Sequence, residues 1–171
     1  IQNKPHNGQS SDRQKFPYHT YPAQIAHVFL IATPLGNLGD ISTRAVQTLE
    51  SCDEIWCEDT RHTQALFTAL KLPHKRLRRV DQHTNAKEIE SLLKEVSEKR
   101  QRVGVVSDAG TPGVSDPGSK VIEIATTQFR DIRISPIPGP SAVTALMSLS
   151  GVHENAFSFL GFFPREEQDA E

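Results

Sequence analysis

The stretch RVGVVSDAGTPGVSDPGS, residues 102–119, contains the pattern on which the rest of the chain is built. Its apolar part, 102–107, has the length and composition of a buried strand in a parallel sheet. A loop rich in glycine and proline follows, and it contains two aspartates, Asp108 and Asp116. Asp116 directly precedes Pro117, which predicts a helix that begins there with Asp116 as its capping residue. The stretch therefore indicates a strand, a loop and a helix in succession.

The same succession recurs on both sides of this stretch. Further strands are predicted at 27–32, 54–57, 76–80 and 132–135, and helices at 40–52, 60–71, 85–100 and 138–150. The helix over 85–100 has the clearest periodicity, with a cap at Asn85 and one apolar face that comprises Ile89, Leu92, Leu93 and Val96. The first helix, 40–52, is expected to pack through Ile41, Ala45, Val46 and Leu49, and the helix after Asp116 through Val121, Ile122 and Ala125.

Strands that alternate with helices predict an α/β fold with a five-stranded, mostly parallel sheet and helices on both faces. Residues 1–26 lack periodicity and are expected to form a flexible N-terminal arm. Residues 27–151 are expected to form the α/β domain, and 152–171 the start of an incomplete second domain. Within that last segment, 154–164 resembles a strand.

Composition narrows the possible classes of protein. The formal net charge is −2, so no global positive field indicates nucleic-acid binding. Cys52 and Cys57 form neither a disulfide framework nor a CxxC pair, and they are expected to be core residues in a reduced cytoplasm. No apolar run approaches the roughly 20 residues of a membrane span.

The loops after four of the strands are the candidate functional segments. They are 33–40, 58–63, 108–118 and 136–142, and all are expected at the carboxyl edge of the sheet, where open α/β sheets bind ligands. Glycine and proline in three of them allow the backbone to approach a ligand closely. Neither GxGxxG nor GxxxxGK[ST] occurs. Asp108 and Asp116 could also bind Mg²⁺, but the capping role of Asp116 argues against this, and we assign no metal.

Four phrases, FLIATPLGNLGDIS, CEDTRHT, VSDAGTPGVSDPG and PGPSA, resemble the tetrapyrrole methylase superfamily of S-adenosylmethionine-dependent methyltransferases in order and spacing. They are most similar to the branch that methylates the ribose 2′-hydroxyl of a cytidine in 16S ribosomal RNA. The phrases span residues 29–142, and FSFLGFFP extends the likeness to 164. The resemblance implies a cytoplasmic enzyme, commonly a homodimer, that acts on the small ribosomal subunit.

The resemblance also implies site residues. S-adenosyl-L-methionine would contact the first loop, the loop after residue 107 and the PGPSA loop, through Thr33, Pro34, Leu35, Asp108, Gly110, Thr111, Ser141 and Ala142. Carbonyls and a carboxylate would stabilise its sulfonium cation. Because a sugar hydroxyl is a poor nucleophile, a general base would help, and Glu58, Asp59 and His62 are candidates. Arg61 would hold a phosphate or pair with one of these acids. Alternatively, Asp59 caps the following helix and Arg61 pairs with it.

A basic segment, KLPHKRLRR at 71–79, is the candidate RNA contact. Its cations are Lys71, Lys75, Arg76, Arg78 and Arg79, and a solvated corner between a helix and a strand explains them nearly as well.

The chain departs from the family after residue 164, where PREEQDAE is acidic. Family members continue into a second domain that closes the cleft, so we expect this chain alone to be a poor catalyst. Two other interpretations remain: a methyltransferase of the same fold that acts on a porphyrinoid, and a non-catalytic scaffold.

Overall fold

The strands of the chain form one parallel sheet. The computed structural model describes residues 25–151 and 156–161. The strands in it are β1 (His27–Ile31), β2 (Glu54–Cys57), β3 (Arg76–Arg79), β4 (Arg102–Val106) and β5 (Arg133–Ile137). They pair in the order β3-β2-β4-β1-β5, and every pair is parallel. The predicted α/β fold with a five-stranded parallel sheet is confirmed.

The helices lie between these strands. They are α1 (Thr43–Ser51), α2 (Thr60–Ala69), α3 (Ala86–Lys99), α4 (Gly118–Gln128) and α5 (Ala142–Leu149), and a turn of 3₁₀ helix, Leu38–Asp40, precedes α1. Asn85 caps α3 as predicted, because its side chain accepts a hydrogen bond from the Glu88 amide. Among the described residues, no helix combines the length and apolar character that crossing a membrane requires.

Two apolar layers hold the helices against the sheet. On one face, α3 and α4 pack through the predicted Ile89, Leu92, Leu93 and Val96 and through Val121 and Ala125. On the other face, α1 and α2 pack through Ala45, Leu49 and Phe67, with Ile41 partly buried beside them. Ile124, rather than Ile122, is the third buried apolar side chain of α4, and Ile122 is only half-buried. Helices α1 to α4 therefore each bury one stripe, as their periodicity requires, whereas α5 buries none of its residues.

Both cysteines belong to the α1–α2 side of the core. Cys52 and Cys57 are buried and free. Burial raises the pKa of the Cys52 thiol to about 12, so it stays protonated and unreactive. The prediction that they are core residues is confirmed.

Gly104 in β4 marks the tightest approach in this core. A Cβ at this position would lie 2.8 Å from Ile55 Cδ1, 2.9 Å from Ile31 Cδ1 and 3.3 Å from Cys52 Sγ. The two shortest separations are below van der Waals contact, so any side chain at this position would displace the neighbouring Ile55 and Ile31 of the sheet.

We predict that Gly104→Ala destabilises the fold by about 1–3 kcal/mol, the usual cost of overpacking a filled core. Urea unfolding would measure it. Gly39→Ala is the control, because a Cβ there meets only the Asn37 side chain, at 3.2 Å. Equal effects of the two substitutions would contradict the packing argument.

The strand order creates a topological switch point. From β1 the chain moves toward β2 and β3 on one side, whereas from β4 it moves past β1 to β5 on the other. Adjacent strands β1 and β4 therefore send their following loops in opposite directions, and the carboxyl ends of the two strands flank a crevice. Ligands of open α/β sheets bind at such a crevice.

Some boundaries differ from the sequence prediction. The helix predicted from residue 40 begins at Thr43, because Ser42 caps it with a hydrogen bond from the Ala45 amide. Strand β5 is shifted toward its carboxyl end relative to the predicted 132–135. Residues 156–161 contain no strand, so the strand predicted over 154–164 is wrong in its described part.

The remaining domain predictions lie mostly outside the described residues. Of the expected N-terminal arm, only residues 25 and 26 are described. Ala26 is buried, and its carbonyl accepts a hydrogen bond from the Arg133 amide.

Candidate functional site

Three of the four candidate loops are joined at the switch point. The backbones of Thr33 and Gly110 exchange two hydrogen bonds, of 2.9 and 3.1 Å. The Thr111 hydroxyl donates to the carbonyl of Pro140 at 3.0 Å, and so ties the loop after β4 to the loop after β5. Gly110 has a φ of +84°, and a Cβ there would come within 3.1 Å of Leu35 Cδ2. The sequence motifs thus meet at one edge of the sheet.

Asp116 organises the loop after β4 from within. Its carboxylate accepts hydrogen bonds from the amides of Gly113, Val114 and Gly118, at distances between 2.7 and 3.1 Å. The helix-capping position is Pro117, one residue later than predicted, and it has no side-chain cap bond. The Asp116 carboxylate nevertheless serves the first residue of α4, Gly118, so its predicted role at the start of the helix is retained.

Asp108, by contrast, faces solvent. Its amide donates a 3.3 Å hydrogen bond to Glu58 Oε1, which connects the loops after β4 and β2. Its carboxylate accepts no hydrogen bond from the part of the chain that the structure describes, and the residue is exposed. A carboxylate at a switch point that makes no hydrogen bond with the described residues is available to a ligand.

A cleft of about 340 Å³ opens beside Asp108. It lies between the first loop and α2, and its apolar walls include Leu35, Leu38 and Leu66. Its polar side chains are those of Thr33, His62 and Asp108. An apolar cleft with a few convergent polar groups is the usual form of a small-molecule site.

Sequence reasoning missed several residues of this cleft. Ala65, Leu66 and Ala69 line it from α2 together with His62. The spacing of these residues, at i, i+3, i+4 and i+7, was the available signal: it marks a second face of α2, distinct from the face that Phe67 buries against the sheet.

Asp59 and Arg61 are arranged as a helix cap and an ion pair, which is the alternative to a catalytic role for these residues. The Asp59 side chain caps α2 by accepting from the Arg61 amide at 2.8 Å. It also pairs with the Arg61 guanidinium, at 3.2 Å to Nε and 2.8 Å to Nη2. The hydrogen bond from Arg61 lowers the pKa of Asp59, which keeps this carboxyl ionised. Its oxygens are therefore already used by protein donors.

Glu58 has the opposite electrostatic environment. Its pKa is raised by burial and by the negative charges of Asp108, Asp116 and Asp81, although the hydrogen bond from the Asp108 amide partly offsets this. A carboxyl whose proton is held more tightly is a stronger base once ionised.

This shift predicts a pH-dependent effect of Glu58→Gln. Because the folded pKa is raised, the ionised carboxylate destabilises the fold above that pKa, and the penalty is absent below the unfolded value. We expect the variant to have the higher Tm at pH 7, by no more than about 2 °C because solvent screens a half-exposed group. The difference should vanish near pH 4, in thermal melts across this range. Glu90→Gln on α3 is the control, and a difference independent of pH would contradict the prediction.

The structure brings most of the proposed cofactor residues together. Thr33 and Gly110 are buried at the junction of the loops, whereas Pro34, Leu35 and Thr111 are partly or fully accessible. Ser141 and Ala142 begin α5 just beyond Pro140, and Ser141 is half-exposed without a side-chain cap bond. Within the described ranges, 25–151 and 156–161, no cluster of three metal-ligating side chains occurs.

Curated relatives share this sequence over most of its length. The chain is 39% identical over 142 residues to a protein of Leptospira biflexa named ribosomal RNA small subunit methyltransferase I, covering 83% of this chain and 58% of that protein. It is 42% identical over 137 residues to a protein of the same name from Mesorhizobium japonicum, covering 80% of this chain and 45% of that one. The chain thus spans about half the length of the curated relatives it matches.

Solved structures share the fold. A uroporphyrin-III-C-methyltransferase from Thermus thermophilus superposes with a TM-score of 0.53 at 20% identity, over 71% of this chain and 51% of the other. A cobalamin-biosynthesis precorrin-6Y methylase from Archaeoglobus fulgidus gives 0.52 at 25% identity, over 72% and 58%. The family profile of Tetrapyrrole (Corrin/Porphyrin) Methylases matches residues 27–167, which contain the whole sheet and all of the joined loops. The chain therefore belongs to the tetrapyrrole methylase family.

Proposed function

We propose that this chain is the cofactor-binding part of an S-adenosylmethionine-dependent methyltransferase that methylates the ribose 2′-hydroxyl of a cytidine in 16S ribosomal RNA. The observation that carries the proposal is the free Asp108 carboxylate above three joined loops at the switch point. Family membership supports the reaction class, and the names of the relatives in Leptospira and Mesorhizobium support RNA as substrate.

The residues present fit S-adenosylmethionine. The ligand carries a sulfonium cation, an α-amino group, a carboxylate and an adenosine. Asp108 would meet one of the positive groups, and the backbone of the Gly110–Thr111 and Pro140–Ser141 segments would offer amides and carbonyls. The apolar wall at Leu35 would pack against an uncharged part of the ligand. When bound, the cofactor supplies an activated methyl group.

The chain's own contribution to methyl transfer would be alignment and proton removal. The loops would hold the ribose oxygen in line with the methyl carbon, and such alignment would supply much of the rate enhancement. Glu58 and His62 are the proposed general bases, because the Asp59 carboxylate is used by the α2 cap and by Arg61. Arg61 would bind a phosphate.

We further propose that a longer protein carries the full activity, because this chain spans about half the length of its relatives. A second domain would close the cleft, and the protein would act in the cytoplasm as a homodimer. Leu146 and Leu149 on α5 are 70% and 84% exposed, which fits a helix that a further domain or a second copy covers.

Calorimetric titration of S-adenosylmethionine tests the cofactor assignment. The titration would be run on this chain and on a version extended by the proposed second domain. Binding followed by transfer of a radiolabelled methyl group to 30S subunits would support the proposal. Transfer to a porphyrinoid instead would favour the small-molecule enzyme. No binding by either form would contradict the cofactor assignment and favour a scaffold.

A further inference from the structure

The segment 59–81, which contains α2 and β3, has a charge opposite to that of the rest of the molecule. It contains six Lys or Arg residues and two Asp residues, a formal charge of +4. Since the whole chain carries −2, the remainder carries −6. We call the cations of segment 59–81 the positive patch. On a protein of negative net charge, such a patch attracts polyanions to one part of the surface.

This positive patch lies at a free edge of the sheet. Strand β3 is the last strand beyond β2, and its side chains alternate between the two faces. Leu77 packs against the core layer that holds α2, so Lys75 and Arg79 share the α2 side with it. Arg78 lies on the other side, where it pairs with Glu95 of α3.

The cations of the patch differ in how far they are neutralised. Arg78 pairs with the buried carboxylate of Glu54, and Arg79 pairs with Asp81 at 2.7 Å. Lys75 makes no ion pair with any residue that the structure describes. The two sides of the strand are therefore not equivalent: Arg78 stabilises the fold, while Lys75 keeps its charge free.

Lys75 faces Arg61 across a shallow groove. The groove lies between the first turn of α2 and β3, has a volume of about 540 Å³, and is lined by Thr60, Arg61, Gln64, Lys75 and Leu77. Asp59 holds the Nε and Nη2 of Arg61, which orients the guanidinium and leaves Nη1 outside that pair. The Arg61 side chain is 90% exposed. The groove thus offers two cations, a hydroxyl and an amide on an open surface.

We infer that this groove binds a backbone phosphate of the substrate RNA, with Arg61 and Lys75 as the phosphate contacts. The inference rests on the proposed function and names where its substrate lies on the chain. An open groove suits a polymer that runs across the surface better than a small anion that must be enclosed. It also adjoins the cleft: Arg61 lines the groove, while its neighbour His62 lines the cleft beside Asp108. An RNA held there would present an adjacent nucleotide to the candidate site.

The salt dependence of RNA binding tests the inference. Fluorescence anisotropy would follow a short labelled single-stranded RNA, without cofactor, over a series of salt concentrations. Each lost phosphate contact lowers the slope of log K against log salt by about 0.7 for single strands. Lys75→Gln should show this loss, and Arg61→Gln/Lys75→Gln about twice as much. Lys75→Arg should keep the wild-type slope.

Lys94→Gln is the matched control. Lys94 is also an exposed lysine, but it lies on α3, on the opposite face of the sheet, so its removal should leave the slope unchanged. An unchanged slope in Lys75→Gln, an equal loss in Lys94→Gln, or wild-type protein that binds no RNA would overturn the inference. Calorimetry with S-adenosylmethionine separates the two proposals. RNA binding without cofactor binding would support the groove as an RNA site and contradict the methyltransferase proposal. Cofactor binding without RNA binding would contradict only the inference about the groove.

Discussion

Replacing Asp116 by alanine is expected to lower the free energy of unfolding by about 2–4 kcal/mol. The carboxylate accepts from the amides of Gly113, Val114 and Gly118, and a hydrogen bond to a charged group makes a net contribution of about 1.5–3 kcal/mol. Asp116 is half-buried, so water would satisfy some of the freed donors. The loss is therefore smaller than the sum of the bonds.

The local geometry leaves few other ways to satisfy these amides. A Cβ on Gly118 would lie 2.7 Å from Asp116 Oδ1 and 2.9 Å from the Gly113 nitrogen, so the turn closes tightly around the carboxylate. Removing the carboxylate would free the loop that joins β4 to α4, and the start of α4 would lose its acceptor.

Urea unfolding would measure the loss for Asp116→Ala. Asp116→Asn keeps one oxygen acceptor and should fall between wild type and Asp116→Ala. Ser119→Ala is the control, because the Ser119 hydroxyl only donates to the Asp116 carbonyl, and its removal should cost far less. A loss below about 1 kcal/mol for Asp116→Ala would mean that water replaces the carboxylate almost completely.

Asp108→Ala is expected to have the opposite profile, with unchanged stability and weak cofactor binding. The Asp108 carboxylate makes no hydrogen bond with the described residues and is exposed, so its loss should change the free energy of unfolding by no more than about 0.5 kcal/mol. If it meets a positive group of S-adenosylmethionine, truncation should cost about 2–4 kcal/mol of binding, or roughly 30- to 900-fold in Kd.

Two measurements on the same preparation decide this prediction. Calorimetry would give the Kd for S-adenosylmethionine, and thermal unfolding without ligand would give the stability. Asp108→Asn tests the charge, because it keeps the shape and should still bind weakly. Wild-type affinity in Asp108→Ala would remove Asp108 from the site. A large loss of stability would instead assign it a structural role like that of Asp116.

The local order of the fold was available from the sequence. Apolar spacing identified the helix over 85–100, and its predicted face, Ile89, Leu92, Leu93 and Val96, is the buried stripe of α3. Short apolar runs identified the buried strands β1, β2 and β4, because buried parallel strands are apolar on both faces, whereas the edge strand β3 is basic and half-exposed. The apolar segment 156–161 forms no strand, because a strand also needs a neighbouring strand to supply partners for its backbone hydrogen bonds.

The site was only partly available. The motifs indicated which loops matter, and Pro117 after Asp116 predicted a helix-capping role for that aspartate, but they did not show which amides it would bind. Backbone amides converge on Asp116 and not on Asp108, and that convergence depends on the turn of the chain around Gly113 and Gly118. The pairing of Asp59 with Arg61 likewise remained one of two interpretations until the geometry assigned it.

The sequence by itself determined the succession of strands and helices, the faces they bury, and the loops that carry polar groups, because these follow from contacts between residues close along the chain. Tertiary structure alone decided that β4 lies between β1 and β2, which opens the crevice at the switch point. It also decided which charges are neutralised: Arg78 pairs with Glu54, while within the described residues Lys75 makes no ion pair and the Asp108 carboxylate accepts no hydrogen bond. These outcomes depend on contacts between residues far apart in the sequence, and local patterns carry little information about such contacts.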